Sequence, residues 1–222
     1  MEIEMKRKLL HLSGLLVPLL YVIVGKEWSI VVISIALIVF FMIEPLRVYS
    51  LESKKIVERM RPYVTEEMYR FLNERIDKLT KSIKEIEREE ERLCIGAHIY
   101  FAVASLIVII LFPKWIVIGA IAVATLGDAL AAVIGKKYGK HRFRNGKSWE
   151  GSTAFFITSF IVLLLVLFSH YPIEYVILAA IIGSIVGALV ELYNVPPNDN
   201  FSNQIFISLA LYVLTFMMRM FK

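Results

Sequence analysis

The stretch WIVIGAIAVATLGDALAAVIG, residues 115–135, decides the fold class of this chain. Its only ionisable side chain is Asp128. As an α-helix, a stretch of this length rises about 30 Å, which matches the hydrocarbon core of a bilayer. It lacks the alternation of a strand, and an open strand cannot satisfy its backbone in lipid. The stretch therefore predicts a transmembrane helix that carries one carboxylate.

The rest of the chain has the same apolar character. Of its 222 residues, 58% are hydrophobic, and the mean hydropathy is +0.66. Soluble domains are usually about 45–50% apolar. A soluble α/β enzyme, a disordered chain and a disulfide scaffold are excluded, since Cys94 is the single cysteine. Six more apolar segments can be marked: residues 9–24, 28–43, 95–112, 152–168, 175–192 and 201–218. We expect an all-α polytopic membrane protein with about seven transmembrane helices, forming one domain over residues 1–222.

A charged insert at about residues 50–92 separates the second span from the third. The stretch from Glu44 to Arg92 holds 12 acidic and 12 basic residues. Within it, apolar residues recur at steps of three and four, which predicts a long amphipathic cytosolic helix from about Thr65 into the third span. Its apolar face could form a dimerising coiled coil, and hence a homodimer, or a stalk over the active site. It could also pack on the membrane domain of its own chain.

The basic residues predict the orientation of the chain. If the N-terminus is cytoplasmic, only four of the 25 basic residues face outward, namely Lys26, Lys114, Arg219 and Lys222. Loops with many Lys and Arg residues stay on the cytoplasmic side. We therefore expect an N-terminus in the cytoplasm, a C-terminus outside and a working face toward the cytoplasm. The side chains expected to gather there are His11, Asp128, Lys147, Glu150, Glu191, Asp199 and Asn200.

Carboxylates within or beside the spans are the first candidates for chemistry, because intramembrane charges are costly and usually functional. Asp128 lies inside the fourth span. Glu191 ends the sixth span one turn above the small residues Gly183 and Gly187, and Asp199 precedes the seventh span. The structural alternative for each is a polar group that ties helices together or caps one. A lipid tail could enter along the Gly183 and Gly187 groove or beside the small residues of the fourth span.

The loop KKYGKHRFRNGKSWE, residues 136–150, is the second candidate. Cations beside glycines suit a polyphosphate, although a positive-inside loop would also be basic. Ser148 can cap the fifth helix. The Gly-Lys-Ser step is not a Walker A motif, which requires glycine at the position of His141. Carboxylates that face a polyphosphate usually do so through Mg²⁺. These features indicate a transferase for a Mg²⁺-nucleotide or a phospholipid headgroup, with no nucleic-acid partner.

Two blocks of this sequence resemble the family of dolichol kinases, phytol kinases and CTP-dependent diacylglycerol kinases. The more specific block is GDALA from Gly127 with NGKSWEGS from Asn145, and the other is RKLLHLSG from Arg7 to Gly14. Glu44 and Arg47 after the second span, Glu191, and Asp199 with Asn200 also fit. The run VPPN before Asp199 and the charged insert depart from the family pattern.

The resemblance implies a CTP-dependent kinase that transfers the γ-phosphoryl group to a polyprenol-like or related isoprenoid or glycerolipid alcohol in the membrane. On that basis Asp128, Glu191 and Asp199 are candidate Mg²⁺ ligands, and Asp128, Lys147, Glu150 and Glu191 are candidate catalytic residues. Candidate nucleotide-binding residues are Lys136, Lys140, Arg142, Asn145, Gly146, Lys147 and Ser148. Candidate polar residues for substrate binding or structure are Arg7, His11, Glu44, Arg47 and Asn200.

Two alternatives remain open at this stage. The block KSWEG from Lys147 is also similar to CDP-diacylglycerol synthases, which would make the chain a cytidylyltransferase, although their glycine- and histidine-rich C-terminal signature is absent. The second alternative is a small transporter. A transporter is expected to place polar groups toward both membrane faces, whereas here only one face is populated.

Overall fold

The computed structural model describes residues 11–86 and 95–220, so Arg7 lies outside the described residues. These residues form α-helices joined by short turns and contain no β-strand beyond one isolated bridge between Arg142 and Ser148, which confirms the all-α fold class. A 3₁₀ turn, Ser13–Leu15, precedes the first of the long helices, and a second, Arg61–Tyr63, connects the first two. The helices are α1 (Leu16–Met60), α2 (Glu66–Ile86), α3 (Ala97–Leu111), α4 (Lys114–Tyr138), α5 (Trp149–Leu167), α6 (Ile173–Tyr193) and α7 (Asp199–Met220).

Within the described part of the chain, five helical segments are long and apolar enough to cross a membrane, and α3 is a shorter apolar helix. Their length and composition are those of an integral membrane protein. The first of the five, Ser13–Pro45, covers two of the seven segments marked in the sequence. The count of seven crossings therefore stays a prediction.

The chain reverses its direction inside α1, at Gly25. This glycine has φ 80° and ψ −175°, which is a non-helical backbone conformation that residues other than glycine rarely adopt. On either side of it, Lys26 Nζ donates to the carbonyl of Ile110 at 2.8 Å, and Lys114 Nζ donates to the carbonyl of Val22 at 3.4 Å. Gly25 therefore lies at the end of the bundle where α3 connects to α4.

His11 and Glu44 flank the two apolar segments that meet at Gly25, and both lie at the end of the bundle away from Gly25. His11 Nε2 is 3.3 Å from Asp128 Oδ2, and Glu44 Oε1 accepts from the N–H of Gly96 at 2.9 Å. Segments 11–24 and 26–45 are thus antiparallel to each other. We call the end that holds His11, Glu44 and Gly96 the polar end, and the end that holds Gly25 the opposite end.

The core lies where α4, α5 and α6 pack together, and small residues allow their close approach. The ring of Phe155 fills the space beside two glycines. A Cβ atom on Gly127 would lie 2.9 Å from this ring, and one on Gly187 would lie 2.7 Å from it. At the polar end, a Cβ on Gly151 would lie 2.9 Å from the carbonyl oxygen of Ala131. This close packing holds α4 and α5 rigidly beside each other at the level of the polar residues.

The Gly183 and Gly187 groove is filled by the protein itself. A Cβ on Gly183 would lie 2.6 Å from Leu163, and Gly187 meets Phe155 and Ile207 in the same way. The expectation that a lipid tail enters along this groove was therefore wrong, since helix packing already uses the space. The small-residue side of α4 remains the alternative route.

The charged insert forms a helical hairpin in its described part. The α1 helix continues through Pro45 to Met60, and α2 starts after Thr65, whose hydroxyl accepts from the N–H of Met68 at 3.4 Å. The predicted cap at Thr65 is confirmed. The prediction that this helix runs on into the third span was wrong. Gly96 is extended, with ψ 143°, because its N–H bonds to Glu44 instead of continuing a helix.

Candidate active site

Three carboxylates from three helices meet at the polar end. Asp128 comes from α4, Glu191 from the last turn of α6, and Asp199 is the first residue of α7. One oxygen atom from each lies within 4.8 Å of the others, and all three residues are buried. We call this group the carboxylate cluster. It contains the three residues that the sequence analysis selected as metal ligands.

Lys147 places its ammonium group against the carboxylate cluster. Nζ donates to Oε1 of Glu191 and lies 3.6 Å from Oδ2 of Asp199. Burial lowers the pKa of Lys147, but Glu191, Asp199 and Asp128 raise it more, so the net pKa lies above its ordinary value. The site thus contains three carboxyl groups and one ammonium group. A divalent cation would balance this excess of carboxyl groups over ammonium groups, since buried charges are usually paired or coordinate metals.

The basic loop that carries Lys147 is an ordered hairpin. The N–H of Phe143 donates to the carbonyl of Lys147 at 2.8 Å, and the N–H of Trp149 donates to the carbonyl of His141 at 3.0 Å. Gly146 has φ 80° at the turn, a conformation that favours glycine. Paired backbone bonds therefore hold this glycine-containing segment in a defined hairpin.

Asn145 attaches the hairpin to α6. Its Nδ2 donates to the carbonyl of Leu192 at 2.5 Å, and its Oδ1 accepts from the N–H of Lys147 at 3.2 Å. Leu192 directly follows Glu191, so this one amide fixes both members of the ion pair relative to each other. The side chain of Asn145, a predicted nucleotide-binding residue, thus holds Lys147 in position beside α6.

Ser148 starts α5 and is buried. Its Oγ accepts from the N–H of Gly151 at 3.1 Å, which confirms the predicted cap. A Cβ added at Gly135 would lie 2.9 Å from the same Oγ. The hydroxyl of Ser148 is thus used in holding α4 and α5 together beside Lys147.

Glu150 lies beside the loop backbone and is not a member of the carboxylate cluster. Its Oε1 accepts from the N–H groups of Lys140 at 3.1 Å and His141 at 3.3 Å, and lies 2.9 Å from Nδ1 of His141. These contacts stabilise the start of the hairpin. A direct catalytic role for Glu150 stays a prediction.

The remaining predicted cations of the loop are exposed. The guanidinium of Arg142 donates to the carbonyls of Gly146 at 3.3 Å and Gly135 at 3.4 Å. Lys136 and Lys140 present their side chains at the surface of the polar end. They are accessible to a ligand that approaches Lys147 from the aqueous side.

His11 joins the site from the first apolar segment. Its Nε2 lies 3.3 Å from Oδ2 of Asp128, and its ring meets Phe101 edge to face at 6.3 Å. A protonated His11 would add one positive charge beside Asp128, and a neutral one would add none. The structure thus brings His11 next to Asp128, as the sequence analysis expected.

Glu44 stands apart from the carboxylate cluster and connects α1 to α3. Besides its bond to Gly96, its Oε2 lies 3.8 Å from Nε2 of His98. His98 also packs edge to face on Phe40 at 4.9 Å. Sequence reasoning missed His98, since nothing nearby in sequence marks it as a partner of Glu44. The side chain of Arg47 is not among those described.

The N-terminus of α7 is capped by Asn198, which the sequence analysis did not single out. Its Oδ1 accepts from the N–H of Asn200 at 2.9 Å, and Oδ1 of Asp199 accepts from the same N–H at 2.9 Å. Asp199 therefore keeps Oδ2 directed toward Lys147. Asn200 contributes its backbone to this turn. A cap one residue earlier than expected leaves the Asp199 carboxylate available for the cluster.

The carboxylate cluster fits a hard divalent cation such as Mg²⁺. Oε2 of Glu191 and Oδ2 of Asp199 are buried without a hydrogen-bond partner among the described residues. Carboxylate oxygens are the ligands that Mg²⁺ prefers, and these two oxygens are available to it. Glu191, Asp199 and Asp128 are the residues that would hold such an ion.

The known proteins that are similar to this chain include two kinases. The chain is 29% identical over 204 residues to an uncharacterised protein of Rickettsia prowazekii, covering 90% of this chain and 89% of that protein. It is 26% identical over 151 residues to a probable chloroplastic phytol kinase of Triticum aestivum, covering 63% of this chain and 49% of that protein. A shorter stretch of 43 residues, 19% of this chain and 8% of the relative, is 51% identical to the dolichol kinase of Saccharomyces cerevisiae.

The named kinases are longer proteins, and this chain spans about half the length of the wheat relative. No family model matches the chain, and no solved structure matches it. These relatives support the resemblance to the kinases that the two sequence blocks indicated. The phytol kinase matches 63% of the chain, and the dolichol kinase matches 19% of it. The more distant resemblance to CDP-diacylglycerol synthases gains no such support.

Proposed function

We propose that this chain, which is similar to a probable phytol kinase and to a dolichol kinase over part of its length, is a CTP-dependent kinase for a lipid alcohol in the membrane. The observation that carries the proposal is the carboxylate cluster with Lys147 against it. Phosphoryl transfer depends on alignment and charge neutralisation more than on covalent help from the protein. A buried cluster that combines carboxylates with one ammonium group supplies both.

The proposed reaction joins the hydroxyl oxygen of the alcohol to the γ-phosphorus of the nucleotide. The bond between that phosphorus and the bridging oxygen to the β-phosphate breaks, and the nucleoside diphosphate leaves with the bond electrons. The hydroxyl proton passes to a carboxylate, for which Glu191 is the candidate because its Oε2 has no hydrogen-bond partner among the described residues. The products are a lipid monophosphate and a nucleoside diphosphate.

Each residue of the site receives a role from its contacts. Asp128, Glu191 and Asp199 would hold Mg²⁺, which would shield the phosphate charges when bound. Lys147 would exchange Glu191 for a phosphate oxygen as the nucleotide enters. Asn145 keeps the hairpin at α6 so that Lys147 stays within reach. The exposed Lys136 and Lys140 would attract the polyphosphate from solution.

The proposed orientation places this site in the cytoplasm, where a nucleotide is available. The support for it is the excess of basic residues at the polar end, which includes the whole 136–147 loop. In a Cys94-free background, a single cysteine at position 140 is expected to react with an impermeant reagent only after the cytoplasmic side is opened. A cysteine at position 171 is expected to react from outside, and the reverse pattern contradicts the orientation.

The experiment that tests the function follows the label of γ-labelled CTP. Purified protein is incubated with Mg²⁺, labelled CTP and a panel of lipid alcohols that includes phytol and dolichol. A kinase moves the label into the lipid phase as a lipid monophosphate. With a phosphatidate-type lipid, a cytidylyltransferase would instead release the label as pyrophosphate. Label found only in pyrophosphate overturns the proposal, and the same assay with labelled ATP tests the choice of donor.

A further inference from the structure

Two buried amides, Asn203 and Gln204, lie side by side on α7 within the membrane-spanning part of the chain. Gln204 is fully used in helix packing. Its Nε2 donates to the carbonyls of Asn200 at 3.0 Å and Phe101 at 3.3 Å, and its Oε1 accepts from the hydroxyl of Ser105 at 2.8 Å. These bonds tie α7 to α3, so the role of Gln204 is structural.

Asn203 is just as buried, but its carbonyl end is not used. Only 1% of the residue is exposed, and Oδ1 has no hydrogen-bond partner among the described residues. A buried acceptor without a partner destabilises a protein, and native structures keep few of them. Helix packing does not explain this amide, because a leucine would fill similar space without leaving a polar atom unpaired.

The position of Asn203 on α7 directs it toward the site. It lies four residues after Asp199 and four before Ile207, so the three side chains share one helix face. Ile207 meets Gly187 of α6, one turn below Glu191, which turns this face toward the carboxylate cluster. Asn203 is therefore one helical turn, about 6 Å, deeper in the bundle than Asp199.

We infer that Oδ1 of Asn203 accepts a hydrogen bond from the hydroxyl group of the acceptor lipid alcohol. This inference rests on the proposed kinase function and adds the residue that positions the second substrate. A carbonyl oxygen attracts an O–H donor and repels an anionic phosphate oxygen, so the phosphates of the nucleotide are unsuitable ligands for it. The tail of a lipid alcohol lies in the membrane interior, so an alcohol whose tail extends down the bundle from the carboxylate cluster would carry its hydroxyl near the level of Asn203.

The contact has a consequence for the geometry of the reaction. When the hydroxyl of the bound alcohol donates its hydrogen to Asn203, a lone pair on its oxygen is free to face the γ-phosphorus held beside the carboxylate cluster one turn above. As the oxygen–phosphorus bond forms, the hydrogen turns from Oδ1 of Asn203 toward Glu191, which accepts the proton. Asn203 is neutral and does not remove the proton. It is a positioning residue for the reaction, and it would distinguish an alcohol from a lipid that has no O–H group.

The test compares phytol with its O-methyl ether, which has the same tail but no hydroxyl hydrogen. Binding is read as the rise in melting temperature of the detergent-purified protein, because a ligand that binds only the folded state stabilises it. We expect phytol to raise the melting temperature of the wild type more than the ether does. Asn203→Leu should lose this difference, and without lipid its melting temperature should equal or exceed that of the wild type. In activity assays its KM for phytol should rise about threefold to tenfold, with the KM for CTP unchanged.

Gln204→Leu is the matched control, since it removes a buried amide from the same helix turn. It should lower the melting temperature of the protein and retain the difference between alcohol and ether. The inference is overturned if Asn203→Leu keeps that difference, if it destabilises the protein as much as Gln204→Leu, or if the wild type does not distinguish the two lipids. The binding readout needs no turnover, so a failure of the kinase assay alone counts against the proposed function and not against this contact.

Discussion

The ammonium group of Lys147 donates to Oε1 of Glu191, although 44 positions separate the two residues in the chain. The contact joins the basic loop to the end of α6 and places one positive charge among three buried carboxylates. It gives the protein a cation of its own at the position where the proposed reaction needs a metal ion. A ligand that brings phosphates and a metal must therefore compete with or replace this ion pair.

The first prediction is that Lys147 and a divalent cation compete for the carboxylate cluster. Lys147→Met removes the ammonium group while keeping most of the side-chain volume, so the cluster should bind Mn²⁺ more tightly than in the wild type. Turnover should fall about a hundredfold or more, because a phosphate would lose its cationic partner. Mn²⁺ binding is measured by electron paramagnetic resonance of the free ion, and Lys147→Arg is the charge-preserving control. Weaker Mn²⁺ binding in Lys147→Met would show that Lys147 does not compete with the metal.

The second prediction concerns the pH dependence of the same ion pair. The carboxylates raise the pKa of folded Lys147 above its value in the unfolded chain. A group with a raised pKa stabilises the fold at any pH below its unfolded value, about 10.4, and loses that effect as the pH rises through the folded value. The stabilisation that Lys147 provides, measured as the difference in melting temperature between wild type and Lys147→Met, should therefore persist up to about pH 9 and shrink only in stronger alkali. A difference that disappears near neutral pH contradicts the raised pKa.

The third prediction concerns Asn145, which holds the hairpin on α6. Asn145→Ala removes its bonds to Leu192 and Lys147, each of which contributes about 1 kcal/mol. The KM for the nucleotide should rise, since Lys147 is no longer held at its position. The control is a double-mutant cycle with Lys147→Met, in which Asn145→Ala should have little further effect on the KM. Full additivity of the two changes would mean that Asn145 acts independently of Lys147.

Much of the membrane fold could be predicted from the sequence, because the criteria for a span are local. A run of about twenty apolar residues with one charge identifies residues 115–135 without reference to any other part of the chain. The reversal at Gly25 follows from the charged break between two such runs. The insert was harder to predict. The extended conformation of Gly96 depends on a bond to Glu44, which is distant in sequence.

The sequence predicted which residues form the candidate site, but only some of the contacts between them. Asp128, Glu191 and Asp199 were selected because charged groups within or beside membrane spans are energetically costly and usually functional, and the structure brings one oxygen of each within 4.8 Å of the others. Lys147 was expected to face phosphates, whereas it pairs with Glu191 in this structure. Asn203 was not selected, because a single polar residue in a span has many structural explanations. The signal that could have found it was its spacing of four residues from Asp199.

The most direct test of this account is a measurement of turnover and stability on one sample of Asp128→Asn. The change keeps the volume of the side chain and removes a charge from the carboxylate cluster. If the cluster is the catalytic centre, kcat should fall by orders of magnitude, each factor of ten being about 1.4 kcal/mol of barrier, and the melting temperature should stay the same or rise. Glu174→Gln, which removes a carboxylate from the opposite end, should leave both quantities unchanged. A kcat near that of the wild type in Asp128→Asn, or a loss of stability with turnover retained, would contradict the account.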